Sequence, residues 1–315
     1  MIEVAKKAGV NAVKFQTFKA EEFIGDKKKT YSYFSAGKKI NESMYKMFKR
    51  YELSENAWFK IKKKCKKEKI IFLSTPQNYS DLQILLKVGI PAIKVGSDDF
   101  NNIPLIKRYS KTKLPLILSC GMANKKEIIE TVKALNYRNY PVILMLCVSQ
   151  YPTVPENVNL LRIKSLKRLF PNLIIGFSDH TRGPIASSIA VSLGACCFEK
   201  HFTLSNNDKG PDHWFSENPQ SLKVWANSIK MAYKILGDPT IRYTKSEKKM
   251  RDLARRSIVA SNDIKKGQKI DLKNLCFKRP GNGLAPSEIY EIIGLKAKVF
   301  IHKNKAIAKN LLTNE

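Results

Sequence analysis

The sequence predicts an α/β protein, a TIM-type (β/α)8 barrel that lacks its first strand, followed by a small second domain. Three observations carry the prediction. Seven short apolar runs recur between residues 12 and 203, each followed by a stretch with helical periodicity. The runs are apolar almost throughout, as strands are when helices cover both faces of a parallel sheet. Near residue 238 the texture changes to a charged segment and then to short strand and turn signals.

The elements follow in order. The opening stretch MIEVAKKAGVNAVKFQTF places Ile2, Ala5 and Ala8 on one helical face, with Gly9 as the stop, and then a strand, AVKFQT, over 12–17. The remaining strands are IIFLSTP (70–76), AIKVGS (92–97), LPLILSC (114–120), VILMLC (142–147), LIIGFSD (173–179) and CCFEKHFT (196–203). SENAWFKIKKKCKKE, capped by Ser54, and NKKEIIETVKAL are crossover helices between them. A helix followed by seven β-then-α units is an eightfold barrel whose first strand has no counterpart. The strands flanking that gap, around Val13 and Phe198, would carry unpaired backbone groups and exposed apolar side chains. The expectation is that Met1 is an internal methionine or that the gene is truncated, with roughly 30 to 40 residues missing. The 315-residue chain is then expected to be poorly soluble and essentially inactive.

At 315 residues and 43% hydrophobic content the chain can bury one large core and one small one. No apolar run reaches the length of a membrane span, and Glu3, Lys6 and Lys7 stand where a signal peptide needs an apolar core. A soluble cytoplasmic protein with no membrane association is expected. The six cysteines, Cys65, Cys120, Cys147, Cys196, Cys197 and Cys276, show no C-x-x-C spacing and sit mostly in strand-like runs, as reduced structural thiols do.

There are 57 Lys and Arg against 27 Asp and Glu, a formal charge of +30. A nucleic-acid-binding protein is the non-enzyme reading of that charge. The lysines of GDKKKT, KIKKKCKKEK and KSEKKMRDLARR argue against it, because they lie in loops, on amphipathic faces and in a connector rather than along one stripe with interleaved aromatics. No nucleic-acid partner is expected, although the same field attracts small anionic substrates.

Nearly every strand ends in a polar or ionisable residue: Lys14 and Gln16, Ser74 and Thr75, Lys94 and Ser97, Ser119, Ser149, Ser178 and His180, Glu199 and His201. In a parallel barrel those ends form the active face. Of four histidines, His180 and His201 end consecutive strands. Neighbouring strands hold equivalent positions about 5 Å apart, so two inward imidazoles there can share a metal ion. Period-2 alternation puts Glu199 with His201 on one face and Ser178 with His180 on another.

The segments VKFQTF, FLSTP, KVGSDDFNN, LILSCGM, SQYP, IIGFSDHT, EKHFT, KGPDH and KRPGNG, in that order and over almost the whole chain, resemble the signature blocks of the N-acetylneuraminate (sialic acid) synthase family. The resemblance implies condensation of phosphoenolpyruvate with N-acetylmannosamine or a related N-acetylated amino sugar, giving a nine-carbon 2-keto acid and phosphate. It implies a divalent metal, Mn2+ or Mg2+. Lys14, Thr75, Lys94, Ser97, Ser119, Ser149 and Ser178 match the family's phosphoenolpyruvate-binding positions, and a phosphate and a carboxylate do call for cations and short hydroxyl donors. His180 and His201 match the catalytic metal ligands, a Lewis acid at the sugar aldehyde. Asp99 stands at the family's acidic position beside the reacting carbons, a candidate for proton transfer, and Tyr151 and Asp212 are candidates for sugar contacts.

Two departures stand out. Asp98-Asp99 replaces the Gly-Asp or Gly-Glu of many relatives, which sets an extra carboxylate near an anionic substrate. The family's first strand, with its Glu and its Asn-His pair, has no counterpart. A synthase for a diamino relative such as legionaminic acid, and an inactive remnant, remain open beside the sialic acid reading, while GPDH fits a pseudaminic acid synthase less well.

The barrel is expected over 1–238, a charged linker over 239–256 and a second domain over 257–315. That domain echoes itself, Ile264 to Leu275 aligning with Ile301 to Leu312 and Gly267 with Asn304, which predicts a pseudo-twofold module with left-handed turns at both positions. It resembles the antifreeze-like (SAF) domain that closes these synthases. The resemblance implies a domain-swapped homodimer in which Arg279, in KRPGNG, contacts the sugar held by the other subunit.

Overall fold

In the first 237 residues apolar strand runs alternate with helices, several of which open on a side-chain cap. The computed structural model describes residues 1–314 and divides into two units, Met1 to Gly237 and from Asp238 onward. In the first, α1 (Ile2–Lys7) leads into β1 (Ala12–Thr17), α2 (Ala20–Phe23), a hairpin of β2 (Thr30–Ser35) and β3 (Lys38–Ser43), α3 (Met44–Tyr51) and α4 (Glu55–Lys67). There follow β4 (Ile71–Pro76), α5 (Tyr79–Val88), β5 (Ile93–Val95), α6 (Ile103–Ser110), β6 (Leu116–Ser119), α7 (Lys125–Ala134), β7 (Val142–Cys147), α8 (Pro155–Val158), α9 (Arg162–Leu169), β8 (Ile174–Asp179), α10 (Ile185–Ser192), β9 (Cys197–Lys200) and α11 (Pro219–Leu236). Ser54 caps α4 as expected, its Oγ accepting from the Ala57 amide at 3.3 Å, and Asn124 and Glu127 form a capping box on α7.

All sheet pairing among these barrel-type strands is parallel. β1 pairs with β4, and β5 to β9 form a five-stranded sheet in chain order, with β4 lying against β5. Outward-facing Phe72, Val95, Leu118, Leu144, Ile175 and Phe177 make the main core with Leu82, Leu85, Ile106, Tyr109, Val132 and Ile163 of the helices. Among the described residues β1 bonds to β4 alone and β9 to β8 alone. The side chains at those edges are not exposed as the sequence suggested. Val13 and Phe198 are half-buried, Val13 against the main core and Phe198 under a small cluster in which Ala8 meets Leu222, Trp225 and Ala226 of α11.

In the second unit, α12 (Lys245–Ala254) precedes β10 (Ser257–Ala260), β11 (Leu275–Lys278), α13 (Ile289–Ile292), β12 (Lys296–Ala297) and β13 (Leu312–Thr313). The segment read as a charged linker therefore carries a helix, opened by a Thr244–Glu247 capping box. The internal echo is visible in the backbone. Ile264 and Ile301 exchange amide-to-carbonyl bonds at 2.9 Å, and Gly267 and Asn304 both take positive φ, +80° and +67°. Gly267 N bonds Ala297 O at 2.8 Å and Asn304 N bonds Ala260 O at 2.9 Å, each pair displaced by the interval that separates Ile264 from Ile301. Twelve buried side chains, Ile258 and Ile307 among them, fill the space between the halves.

Candidate active site

The register of the parallel sheet decides which side chains share the barrel interior, because residues level with one another in a parallel sheet point the same way. Lys14 faces Leu73 and Gln16 faces Thr75; Lys94 is level with Ile117, Ser119 with Met145, Cys147 with Ser178, and Ser178 with Glu199. His180 and His201 continue that face above Ser178 and Glu199. The alternation that paired Glu199 with His201 and Ser178 with His180 is right within each strand, but both pairs share one face. Their imidazole centroids lie 5.2 Å apart.

Glu199 is the hub of this interior, and it was passed over as a site residue. Ser178 Oγ donates to its carboxylate at 3.0 Å, and Lys14 Nζ and Lys94 Nζ stand 3.8 and 3.9 Å away. Burial works to raise its pKa, but the two lysines and the hydroxyl prevail and hold it down at about 2. Lys94, with its side chain 3% exposed, donates to Ser119 Oγ at 2.7 Å and to the Val95 carbonyl at 2.8 Å. Burial lowers its pKa, against the pull of Glu199. Two cations thus share one carboxylate, which leaves positive charge over for an anionic ligand. The signal for Glu199 was its place in the period-2 set with His201.

Beside this hub the ends of β5, β6 and β7 form a cradle. Gly121 N donates to Ser97 Oγ at 3.0 Å, and a Cβ on Gly121 would sit 2.6 Å from Ser149 Oγ and 2.7 Å from Ser97 Oγ. Ser149 Oγ is buried with no hydrogen-bond partner among the described residues. A buried orphan hydroxyl is costly, so the cradle is built for a polar guest. Thr75 is buried on the interior register next to Gln16.

The residues at the mouth fit a metal. His180 Nδ1 lies 2.7 Å from the Val148 carbonyl, so that nitrogen carries a proton and Nε2 has its lone pair free when the ring is neutral. His201 is held neutral, its pKa pushed down to about 3 by burial and then by the charges of His180 and Lys14. Burial works to lower the pKa of His180, but its contacts with Cys147 and the Val148 carbonyl and the charge of Glu199 prevail and raise it, so the two imidazoles become a donor pair once His180 gives up its proton. Among the described residues no group of three or more His, Cys, Asp and Glu is arranged to hold a metal ion. The Tyr151 ring packs at a tilt against that of His180, centroids 4.3 Å apart, and that of Phe215 lies 5.1 Å from that of His201. Asp212 Oδ2 is 3.7 Å from His201 Nδ1. The Asp212 loop is held from outside by the β2–β3 hairpin, which the sequence reading missed: Gly210 N donates to Ser35 Oγ at 3.0 Å, and Phe34 packs 5.5 Å from Trp214.

Asp99 is not joined to these contacts. Its Oδ1 accepts from Asn102 Nδ2 at 3.0 Å at the start of α6. Burial pushes its carboxyl up, the Asn102 bond works against that, and Asp98 adds to the rise. Asp98 itself folds back over Gly96, where a Cβ would meet its Oδ1 at 2.1 Å. Arg279 belongs to the second unit, where it lines a cavity of about 460 Å³ with Asn282, Asn304 and Lys305.

The NeuB family pattern matches residues 1–240 and the SAF domain pattern residues 255–313. An N,N'-diacetyllegionaminic acid synthase of Campylobacter jejuni is 39% identical over 93% of this chain and 89% of its own length. The N-acetylneuraminate-9-phosphate synthase of Homo sapiens is 31% identical over 100% of this chain and 88% of its own. The crystal structure of the N-acetylneuraminic acid (sialic acid) synthetase of Leptospira borgpetersenii, solved with citrate, superposes with a TM-score of 0.70 at 31% identity, covering 79% of this chain and 82% of that one. No helix among the described residues is long and apolar enough to cross a membrane.

Proposed function

The chain belongs to the NeuB family and carries a SAF domain, and from that premise we propose that it condenses phosphoenolpyruvate with an N-acetylated amino sugar to a nine-carbon 2-keto acid. In the balanced reaction, C3 of the enol bonds to the aldehyde carbon, water enters at C2 and inorganic phosphate leaves. The observation that carries this reading is the interior cluster of Lys14, Lys94, Ser119 and Ser178 around Glu199, with the orphan Ser149 hydroxyl next to it. Lys14 and Lys94 meet the phosphate and carboxylate charges, and Ser97, Ser149 and Thr75 give short hydroxyl donors at the strand ends. His180 and His201 would hold a divalent cation, which would supply Lewis acidity at the sugar aldehyde. Imidazole donors favour Mn2+ over Mg2+, which takes oxygen ligands. Tyr151 and Asp212 bound the sugar side, and Asp99, kept easy to protonate by burial, is the proton-transfer group. A cytoplasmic, domain-swapped homodimer, with Arg279 on the sugar of the partner subunit, goes with this reading.

Between sugars, the higher identity to the Campylobacter protein, 39% against 31% for the human one, favours a diamino sugar that leads to a legionaminic acid over N-acetylmannosamine. The test is phosphate release from phosphoenolpyruvate with Mn2+ and a panel of amino sugars. Sugar-dependent release, fastest with the diacetylated sugar, is expected; none with any sugar would overturn the reading. His180→Ala and His201→Ala should each abolish metal-dependent turnover while thermal unfolding stays cooperative, and full activity in either removes the metal assignment.

A further inference from the structure

The inward faces of β8 and β9 carry the proposed chemistry, yet their outward faces are charged as well. Asp179 precedes His180 and Lys200 precedes His201, so alternation turns both away from the site. There they meet. Lys200 Nζ lies 3.0 Å from Asp179 Oδ2 and 3.6 Å from Glu217 Oε1, and the three side chains are only 2%, 0% and 6% exposed. Lys200 Nζ also donates to the carbonyls of Thr181 and Gly183. Asp179 accepts from the amide and hydroxyl of Thr181 at 2.8 and 2.7 Å and from Ser187 Oγ at 2.6 Å, and Ser187 in turn accepts from Trp225 Nε1 at 2.9 Å. Glu217 Oε1 accepts from Gly183 N at 2.9 Å.

Glu217 also acts through its backbone. Its N–H donates to the His201 carbonyl at 2.9 Å, and its own carbonyl accepts from Thr203 N at 2.9 Å, so it makes a single parallel bridge to Phe202 just beyond β9. Apolar side chains of similar volume would hold two strand ends together at less desolvation cost than a buried lysine between two carboxylates. What the charges add is direction: each partner of Lys200 must sit at a fixed distance and angle, and each is covalently next to, or main-chain bonded to, a histidine of the site.

We propose that Asp179, Lys200 and Glu217 form a positioning triad that fixes the ends of β8 and β9 so that the imidazoles of His180 and His201 converge on one cation. It acts through the main chain, unlike the carbonyl that orients the His180 ring. The inference rests on the reading of the two histidines as joint metal ligands, but not on the identity of the sugar or the reaction.

The test measures Mn2+ binding to the full chain by electron paramagnetic resonance, without substrates, for the unaltered protein, Asp179→Asn, Glu217→Gln and Lys200→Met. Phosphoenolpyruvate affinity without metal is measured beside it by calorimetry, and thermal unfolding checks the fold. The two amide variants keep a hydrogen-bonding oxygen in place and are expected to fold. Their Mn2+ affinity should fall about tenfold or more, as for loss of groups behind metal ligands, with phosphoenolpyruvate affinity held within about twofold. Lys200→Met, which leaves two buried carboxylates without a cation, should lose more metal affinity than either, or fail to fold. Unchanged Mn2+ affinity in folded Asp179→Asn and Glu217→Gln would overturn the proposal, and so would a parallel loss of metal and phosphoenolpyruvate. An unaltered protein that binds no Mn2+, or binds it without His180, overturns the metal site and the triad's role together. Intact Mn2+ binding without sugar-dependent phosphate release condemns only the proposed reaction.

Discussion

Asp81 is fully buried in the first turn of α5, where its Oδ2 accepts from the Asn78 amide at 2.9 Å and its Oδ1 has no partner among the described residues. Burial pushes its carboxyl up to about 6 from an ordinary 3.8, against the pull of the Asn78 hydrogen bonds. The folded state therefore binds this proton more tightly than the unfolded chain. The stabilisation is complete below the unfolded value near 4 and is lost as pH rises through 6, a change on the order of 2 to 3 kcal/mol. Asp81→Asn keeps an oxygen for the Asn78 amide and cannot ionise. Its stability relative to the unaltered protein, measured by denaturant unfolding at several pH values, should rise between about pH 4 and 6 and level off above. A pH-independent difference would show that the buried acid does not titrate as its surroundings dictate. Legibility at this scale depends on partners. His180 and His201 were visible because rare residues ended consecutive strands, whereas Glu199 looked like one more strand-end polar group until register set two lysines within 4 Å of it.

Single strands were easy to read and the element that bounds the site was not. AVKFQT and VILMLC match β1 and β7 to the residue, and in β7 burial on both faces leaves only apolar choices along the strand. The β2–β3 hairpin has one solvated face and two lysines at the start of β3, so its alternation was lost among polar residues. Only its Tyr33 and Ser35 are buried within β2. Turn geometry at the strand ends was equally hidden, since no side chain announces a cradle made by glycine. Gly121→Ala tests that cradle. Its methyl would overlap two hydroxyl oxygens closer than 3 Å. The expected result is a rise of about tenfold or more in the KM of phosphoenolpyruvate, a stability loss of about 1 to 3 kcal/mol, and little change in the KM of the sugar. Steady-state kinetics with each substrate varied in turn, together with a denaturation curve, decides it. An unchanged KM for phosphoenolpyruvate would place the anion elsewhere.

Across the whole molecule, the anion cradle and the histidines lie in the first unit and Arg279 in the second. Arg279→Ala should raise the KM of the sugar by about 10- to 100-fold, the effect of losing one charged hydrogen bond, and leave that of phosphoenolpyruvate nearly unchanged. Equal effects on both substrates count against a sugar contact. The second unit was legible as a repeat because its turns need left-handed residues at Gly267 and Asn304. The helix in the connector went unread although T-K-S-E, a capping-box pattern, stands at its start, because none of its residues is buried and no apolar stripe marked a face.

The packing of α1 on α11 also sets an order of events in the cell. Ala8 is covered by Leu222, Trp225 and Ala226, and Lys230 Nζ donates to the Gly9 carbonyl at 2.6 Å across 221 residues of chain. At synthesis rates of about 5 to 20 residues per second, α1 waits on the order of ten to forty seconds for the helix that covers it. During translation its apolar face and the neighbouring strand edge are open to other nascent chains, so this stretch is where a ribosome-associated chaperone has its longest opportunity to bind.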